Sequence, residues 1–226
     1  MATDSKPAQS RIFLVDDHPM VREHLAALLT REPDLIVCGE AEDAPTAVDR
    51  IGQTNPSLVI MDISLKQSHG LELLKDLQAI HPGIAVLVLS MHDESLYAER
   101  ALRAGAMGYI TKQEATKNIL SAVRKILAGE VYLSARMSER LMRKMVGGRA
   151  ATSKSSVESL TDRELEVFQM IGRGFGTRRI ADELRIGIKT VESYRARIKE
   201  KLRLTESDQL LQHAIQWLQD HPGQSS

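Results

Sequence analysis

Asp16, Asp17, Asp62, Ser90 and Lys112 are the residues of this 226-residue chain whose types and settings could do chemistry together. Each stands at the end of, or just past, a short apolar run. RIFLV (11–15) leads into the Asp pair, SLVIMD (57–62) ends on Asp62, IAVLVLS (84–90) ends on Ser90, and AMGYI (106–110) precedes Lys112. If those runs are parallel strands, the five side chains collect on one rim of a sheet, because functional groups of doubly wound folds gather beyond the carboxyl ends of the strands. Three carboxylates in one place repel unless a cation joins them, and hard oxygen ligands favour Mg²⁺. Asp62, facing metal and lysine, would then be a nucleophile toward a phosphoryl group whose charge is compensated on several sides. Ser90 would hydrogen-bond one phosphoryl oxygen and Lys112 would pair with another. Singly, these residues have plainer readings: a DD after a strand is usually a turn or helix cap, and a lone lysine is usually solvated.

The elements that must position them alternate. DLIVCG (34–39) supplies the remaining strand, and all five runs are β-branched and bounded by polar, Gly or Pro residues. Between them, residues 19–32 place Val21, Leu25, Leu28 and Leu29 on one helical face, and residues 70–80 do the same with Leu71, Leu74 and Leu77. Helical segments near 44–52, 93–104 and 113–129 complete five βα repeats. Such alternation implies a doubly wound α/β fold, a five-stranded parallel sheet of the flavodoxin-like kind with helices on both faces.

After Leu133 the pattern changes. SARMSERLMRKMV (134–146) spaces Met137, Leu141 and Met145 for a further helix, GGRAATSKSSVES (147–159) reads as a flexible linker, and four short helical segments follow without a strand signal. Thr161 and Glu164 have the spacing of a capping box. Basic and acidic side chains number 30 each, yet residues 11–133 hold 12 basic against 17 acidic, a balance of −5, while residues 134–226 hold 17 against 12. A basic second module suits a polyanion. The single cysteine, Cys38, excludes an internal disulfide and a Cys-rich metal site and fits a reducing compartment. The N-terminal MATDSKPAQS has no apolar signal core, and IAVLVLSM (84–91) is too short for a bilayer, so a cytoplasmic protein without a membrane partner is expected.

DD (16–17), LVIMD (58–62), LSMHDE (89–94) and GYITK (108–112) together resemble the receiver domain of bacterial two-component response regulators. The resemblance covers the whole first module in register. It implies that Asp62 accepts a phosphoryl group from a sensor histidine kinase. It implies also that Asp16, Asp17 and the Ser64 backbone carbonyl hold Mg²⁺ with Asp62, and that Ser90 and Tyr109 form a switch pair. His92 faces the site in that arrangement; by itself it reads equally as a solvated loop histidine. Members of the family commonly have Pro where this chain has Lys66, so SLKQSHG (64–70) is expected to hold a different loop.

In the second module Leu165, Phe168 and Ile171 line one apolar face, and Ile180 and Leu184 line the next after the Gly172/Gly174/Gly176 break. Gly187 is expected to supply the sharp turn of a helix-turn-helix. Val191, Tyr194, Ile198 and Leu202 should then pack inward from a third helix over 187–202. The opposite side of that helix offers Lys189, Thr190, Glu192, Ser193, Arg195, Ala196, Arg197 and Lys199 as DNA contacts. LTDRELEVF, IADEL and KTVESYRARIKEKL resemble the LuxR-type helix-turn-helix of the NarL/FixJ response regulators, over about sixty residues. The chain departs from that pattern at Gly187, Tyr194 and GFGT (174–177). SDQLLQHAIQWLQ (207–219) carries Leu210, Leu211, Ala214 and Leu218 on an apolar face that could simply cap the bundle; the resemblance assigns Leu210, Leu211 and Ala214 to dimerisation.

The expected organisation is a receiver over 10–132, a linker helix and linker over 133–158, and an all-α helix-turn-helix domain over 159–221. Its expected function is that of a response regulator transcription factor, not an enzyme. Phosphorylation would control homodimerisation and binding to double-stranded promoter DNA, with RNA polymerase as a further partner. Three other readings stay open at this point: a metal-dependent phosphohydrolase, a constitutive DNA-binding protein with an inert first module, and a small-molecule-sensing LuxR-type regulator. The first would need a substrate cap, and the last more aromatics than three Phe, four Tyr and one Trp.

Overall fold

The computed structural model describes residues 9–65, 68–92, 94–146 and 156–220. In chain order these form β1 (Ser10–Val15), α1 (Pro19–Leu29), β2 (Leu35–Ala41), α2 (Ala44–Thr54) and β3 (Leu58–Asp62). A two-residue hairpin follows, β4 (Ser64–Leu65) and β5 (Ser68–His69), and then α3 (Gly70–Ile80), β6 (Ala85–Ser90), α4 (Glu94–Arg103), β7 (Gly108–Thr111) and α5 (Lys112–Leu127). Beyond these lie α6 (Ala135–Val146), a short 3₁₀ turn, α7 (Asp162–Gly172), α8 (Thr177–Leu184), α9 (Ile188–Leu202) and α10 (Ser207–Asp220). The chain divides into two compact units, residues 1–138 and 139–226. No helix among the described residues is long and apolar enough to cross a membrane.

In the first unit five strands pair in parallel in the order β2-β1-β3-β6-β7. The central strands are apolar throughout because both faces are covered. Ile12, Leu14, Leu58, Ile60, Leu87, Leu89 and Ile110 pack against Leu25 and Leu29 of α1 and Ile119, Ala122, Val123 and Ile126 of α5. The alternate residues Phe13, Val59, Met61, Val86, Val88 and Tyr109 are equally buried and line the other face. Order reverses at β1, which pairs with both β2 and β3, so the crevice beyond β1 and β3 is the topological switch point.

Two strand pairings lie outside the sequence reading. One is the hairpin after β3, and the other is an isolated bridge from Gly108 to Tyr132 that extends the sheet edge by one residue. Lys66 and the linker stretch 147–155 fall outside the described residues.

In the second unit α7 begins with the expected capping box. The Thr161 side chain accepts from the Glu164 N–H, and the Glu164 carboxylate accepts from the Thr161 N–H at 2.7 Å. Glu164 also accepts from Lys201 Nζ at 2.6 Å, tying α7 to α9. Leu165, Phe168, Ile171, Ile180, Val191 and Ile198 are buried, and α10 packs along α7. That contact is close because residue 172 has no side chain: a Cβ there would sit 2.7 Å from the Ala214 carbonyl oxygen. The turn between α8 and α9 corrects one expectation. Gly187 has φ −67, a conformation open to any residue, and the left-handed residue is Arg185, with φ 52.

Candidate functional site

The rim beyond β1, β3, β6 and β7 gathers all five predicted side chains. Asp16 and Asp17 follow β1, Asp62 closes β3, Ser90 closes β6, and Lys112 opens α5 directly after β7. Asp16, Asp17, Asp62 and Ser90 are buried. Thr111 caps α5 by accepting from the Glu114 N–H, which places Lys112 in the first turn of that helix. A cation there opposes the helix dipole, so carboxylates must hold it. They do: Lys112 Nζ lies 2.7 Å from Asp16 Oδ2 and 2.7 Å from Asp62 Oδ2.

The electrostatics follow from burial. Removal from water pushes the Asp62 carboxyl up to about 6, against Lys112, which favours its charge, and with Asp16, which opposes it. Burial works to lower Lys112, but Asp62 and Asp16 hold it above its ordinary value. The Ser64 N–H donates to Asp62 Oδ1 at 3.1 Å. Asp16, Asp17, Asp62 and His18 each present a possible ligand atom, all within 4.8 Å of one another. Three buried carboxylates around one point form the hard oxygen set that suits a small divalent cation.

His18 and Arg22 belong to this site although sequence reasoning passed over them. His18 Nδ1 lies 3.2 Å from Asp16 Oδ1 and 2.7 Å from Asp17 Oδ1, and its N–H donates to Asp16 Oδ1 at 2.9 Å. Its position directly after the Asp pair was the available signal. Arg22 donates to the Asp16 carbonyl at 2.5 Å, an approach that no pattern in the sequence announces.

Ser90 and Tyr109 meet through His92. The His92 N–H donates to Ser90 Oγ at 3.0 Å, which leaves the serine proton for an acceptor in the crevice. The Tyr109 hydroxyl donates to the His92 carbonyl at 2.8 Å from a fully buried ring. The His92 ring in turn lies 2.9 Å from Ser64 Oγ and 4.7 Å, centroid to centroid, from Tyr97. His92 is thus a bonded member of the rim rather than a solvated loop histidine.

The second candidate site is the outer face of α9. Val191, Ile198 and Leu202 are buried and Tyr194 is half-buried, while Lys189, Thr190, Glu192, Ser193, Ala196 and Arg197 are exposed and Arg195 and Lys199 are partly so. Ser193 Oγ donates back to the Lys189 carbonyl at 3.0 Å. A 15-residue helix with one packed face and one polar, basic face has the dimensions to enter a major groove. On α10, Leu210 and Ala214 are fully buried against the bundle and offer no outer surface; Leu211 and Ile215 are 37% and 38% exposed. Of the residues expected at a dimer face, Leu210, Leu211 and Ala214, it is Leu211 that reaches the surface of the single chain.

Comparison with known proteins finds a match for each unit. Residues 12–124 match the response regulator receiver domain, and residues 158–214 match the luxR family of bacterial regulatory proteins. The chain is 32% identical over 209 residues to the oxygen regulatory protein NreC of Staphylococcus carnosus, covering 91% of this chain and 96% of NreC. It is 37% identical over 205 residues to the transcriptional activator protein ExaE of Pseudomonas putida, covering 91% and 95%. Among solved structures, RcsB of Salmonella enterica serovar Typhimurium, bound to the promoter rprA in the presence of BeF3-, shares the fold with a TM-score of 0.59 at 24% identity, over 91% of this chain and 98% of RcsB. With the carboxylate–lysine rim in one unit and the helix-turn-helix in the other, the chain belongs to the response regulators of the NarL/FixJ type, transcription factors that join a receiver domain to a LuxR-type DNA-binding domain.

Proposed function

We propose that Asp62 is the phosphoacceptor and that a sensor histidine kinase is the donor. The observation that carries this reading is the single ammonium of Lys112 at 2.7 Å from both Asp16 and Asp62. An Asp62 oxygen attacks phosphorus, the O–P bond forms, and the P–N bond to the kinase imidazole breaks. Asp16, Asp17, Asp62 and the Ser64 carbonyl are the ligands for Mg²⁺, which when bound neutralises phosphoryl oxygens. Lys112 pairs with one of those oxygens and Ser90 donates its hydroxyl proton to another. Ser90 is bonded to the His92 N–H, and the His92 carbonyl holds Tyr109, so a Ser90 drawn toward the phosphoryl group transmits the change to Tyr109.

The downstream reading is a population shift toward a homodimer that binds promoter DNA. The receiver spans 10–132, the linker 133–158 and the DNA-binding domain 159–221. Lys189, Thr190, Glu192, Ser193, Arg195, Ala196, Arg197 and Lys199 meet the DNA, and α10, on which Leu211 is the exposed member of the set Leu210, Leu211 and Ala214, pairs the C-terminal domains. RNA polymerase is the further partner, and the cytoplasm the site of action. The activator ExaE supports the transcriptional role.

The test is incubation of the full chain with Mg²⁺ and acetyl phosphate, followed by intact mass and a phosphate-affinity gel. A metal-dependent gain of one phosphoryl group, absent from Asp62→Asn, is expected. A gain that persists in Asp62→Asn would remove Asp62 from the role.

A further inference from the structure

Between α7 and α8 the chain carries an aromatic ring on a loop of glycines, GRGFG (172–176). Gly174 has φ +81, and the Phe175 N–H donates to the Met170 carbonyl at 3.0 Å, so the base of the ring is fixed while the ring stays half-exposed. It is not idle there. The Arg179 guanidinium carbon lies 3.7 Å from the Phe175 ring centroid, flat-contact distance for a cation on an aromatic face. Arg179 Nε is 3.9 Å from Glu183 Oε1 one turn on, and the arginine side chain is 62% exposed. The ring lies against the guanidinium and the carboxylate stands at ion-pair rather than hydrogen-bond distance, so among the described residues the guanidinium N–H groups make no hydrogen bond within the chain.

An arginine so held has lost rotamer freedom before any ligand arrives, and a planar guanidinium offers paired N–H groups that match a phosphate. Its place on α8 matters: in a helix-turn-helix the first helix crosses the nucleic-acid backbone while the second lies in the groove. Neither α9 nor the predicted DNA contacts include residues 175 or 179. We propose that Arg179 binds a backbone phosphate of duplex DNA beside the groove occupied by α9, and that Phe175 is its positioning residue. This rests on the reading of α9 as the groove helix.

The full chain, treated with acetyl phosphate, would be titrated by fluorescence anisotropy against two duplexes. One is enriched from a random-sequence pool by the wild type, and the other is its scrambled counterpart. Arg179→Ala is expected to weaken both duplexes by a similar factor, about tenfold, because a phosphate contact carries no base information. It should also lower the slope of log K against log salt by about 0.9 per lost contact. Arg179→Lys, which keeps the charge without the stack, and Phe175→Ala should each weaken binding yet retain most of the slope. Phe175→Ala should add nothing in the Arg179→Ala background, and circular dichroism should show all variants equally helical. Unchanged affinity and slope in Arg179→Ala, or independent, additive losses at 175 and 179, would overturn the assignment while leaving α9 as the groove helix. A wild type that enriches no duplex and binds none would overturn that reading, and the phosphate contact with it.

Discussion

Ser64 Oγ and His92 Nε2 lie 2.9 Å apart, across 28 positions of sequence. The bond ties the loop after the acceptor strand to the loop after β6. Because the backbone of His92 also holds Ser90 and Tyr109, the surroundings of Asp62 and the two switch residues share one hinge point.

Loss of that bond should be visible as coupling. Ser64→Ala and His92→Ala are each expected to destabilise the first unit by about 1 kcal/mol, the histidine somewhat more because its ring also packs on Tyr97. In chemical denaturation the double variant should cost less than the two singles together. Strict additivity would show that the two groups are neighbours without an interaction.

Metal addition gives a second measurement. A cation held by Asp16, Asp17 and Asp62 binds only the folded chain, so the thermal midpoint should rise with Mg²⁺. Asp17→Asn should lose most of that rise. A wild-type midpoint indifferent to about 10 mM Mg²⁺ would contradict the site.

Gly70 has a steric duty that its residue type alone does not advertise. A Cβ there would sit 2.2 Å from the Asp62 carbonyl oxygen and 2.7 Å from Ile63 Cα, both backbone atoms that cannot step aside. Gly70→Ala is therefore expected to cost about 1–3 kcal/mol and to slow acetyl phosphate labelling of Asp62. Wild-type stability and labelling in that variant would mean that the loop moves freely.

Acid should loosen the second unit through Glu164. Burial works to raise its carboxyl, but the Lys201 ammonium and the Thr161 N–H outweigh burial and hold it below the usual range. A carboxyl lowered on folding contributes stability that is present above its unfolded value and lost as pH falls through the folded one. Glu164→Gln should flatten that acid limb of the unfolding curve. An unchanged limb would place the acid sensitivity elsewhere.

Gly187 leaves α9 without a side-chain cap, and a Cβ there would meet only Thr190 Oγ1, at an ordinary 3.6 Å. Gly187→Ser should raise stability by a few tenths of a kcal/mol in thermal unfolding. A loss instead would reveal a constraint on that turn beyond its dihedral angles.

The rim was legible because apolar runs mark strand ends, and the residue just past each end is then placed by topology alone. Asp62 and Lys112 came together across 50 positions on that argument. The two-residue strands β4 and β5 were not legible, since a pair of residues has no periodicity to read. Nor was the turn at Arg185, because arginine carries none of the preference for φ > 0 that Gly or Asn would have shown. On α10, periodicity identified an apolar stripe but not its division. Which edge faces α7 and which faces water depends on the partner helix, so Leu210 and Ala214 were not separable in advance from Leu211.

Trp217, the chain's single tryptophan, stands edge-on to Phe168 with ring centroids 5.7 Å apart, inside the second unit. Indole emission, excited at the red edge where tyrosine does not absorb, therefore reports on the α7–α10 packing. The second unit thus carries its own optical label, and its melting can be followed in the intact chain without a dye.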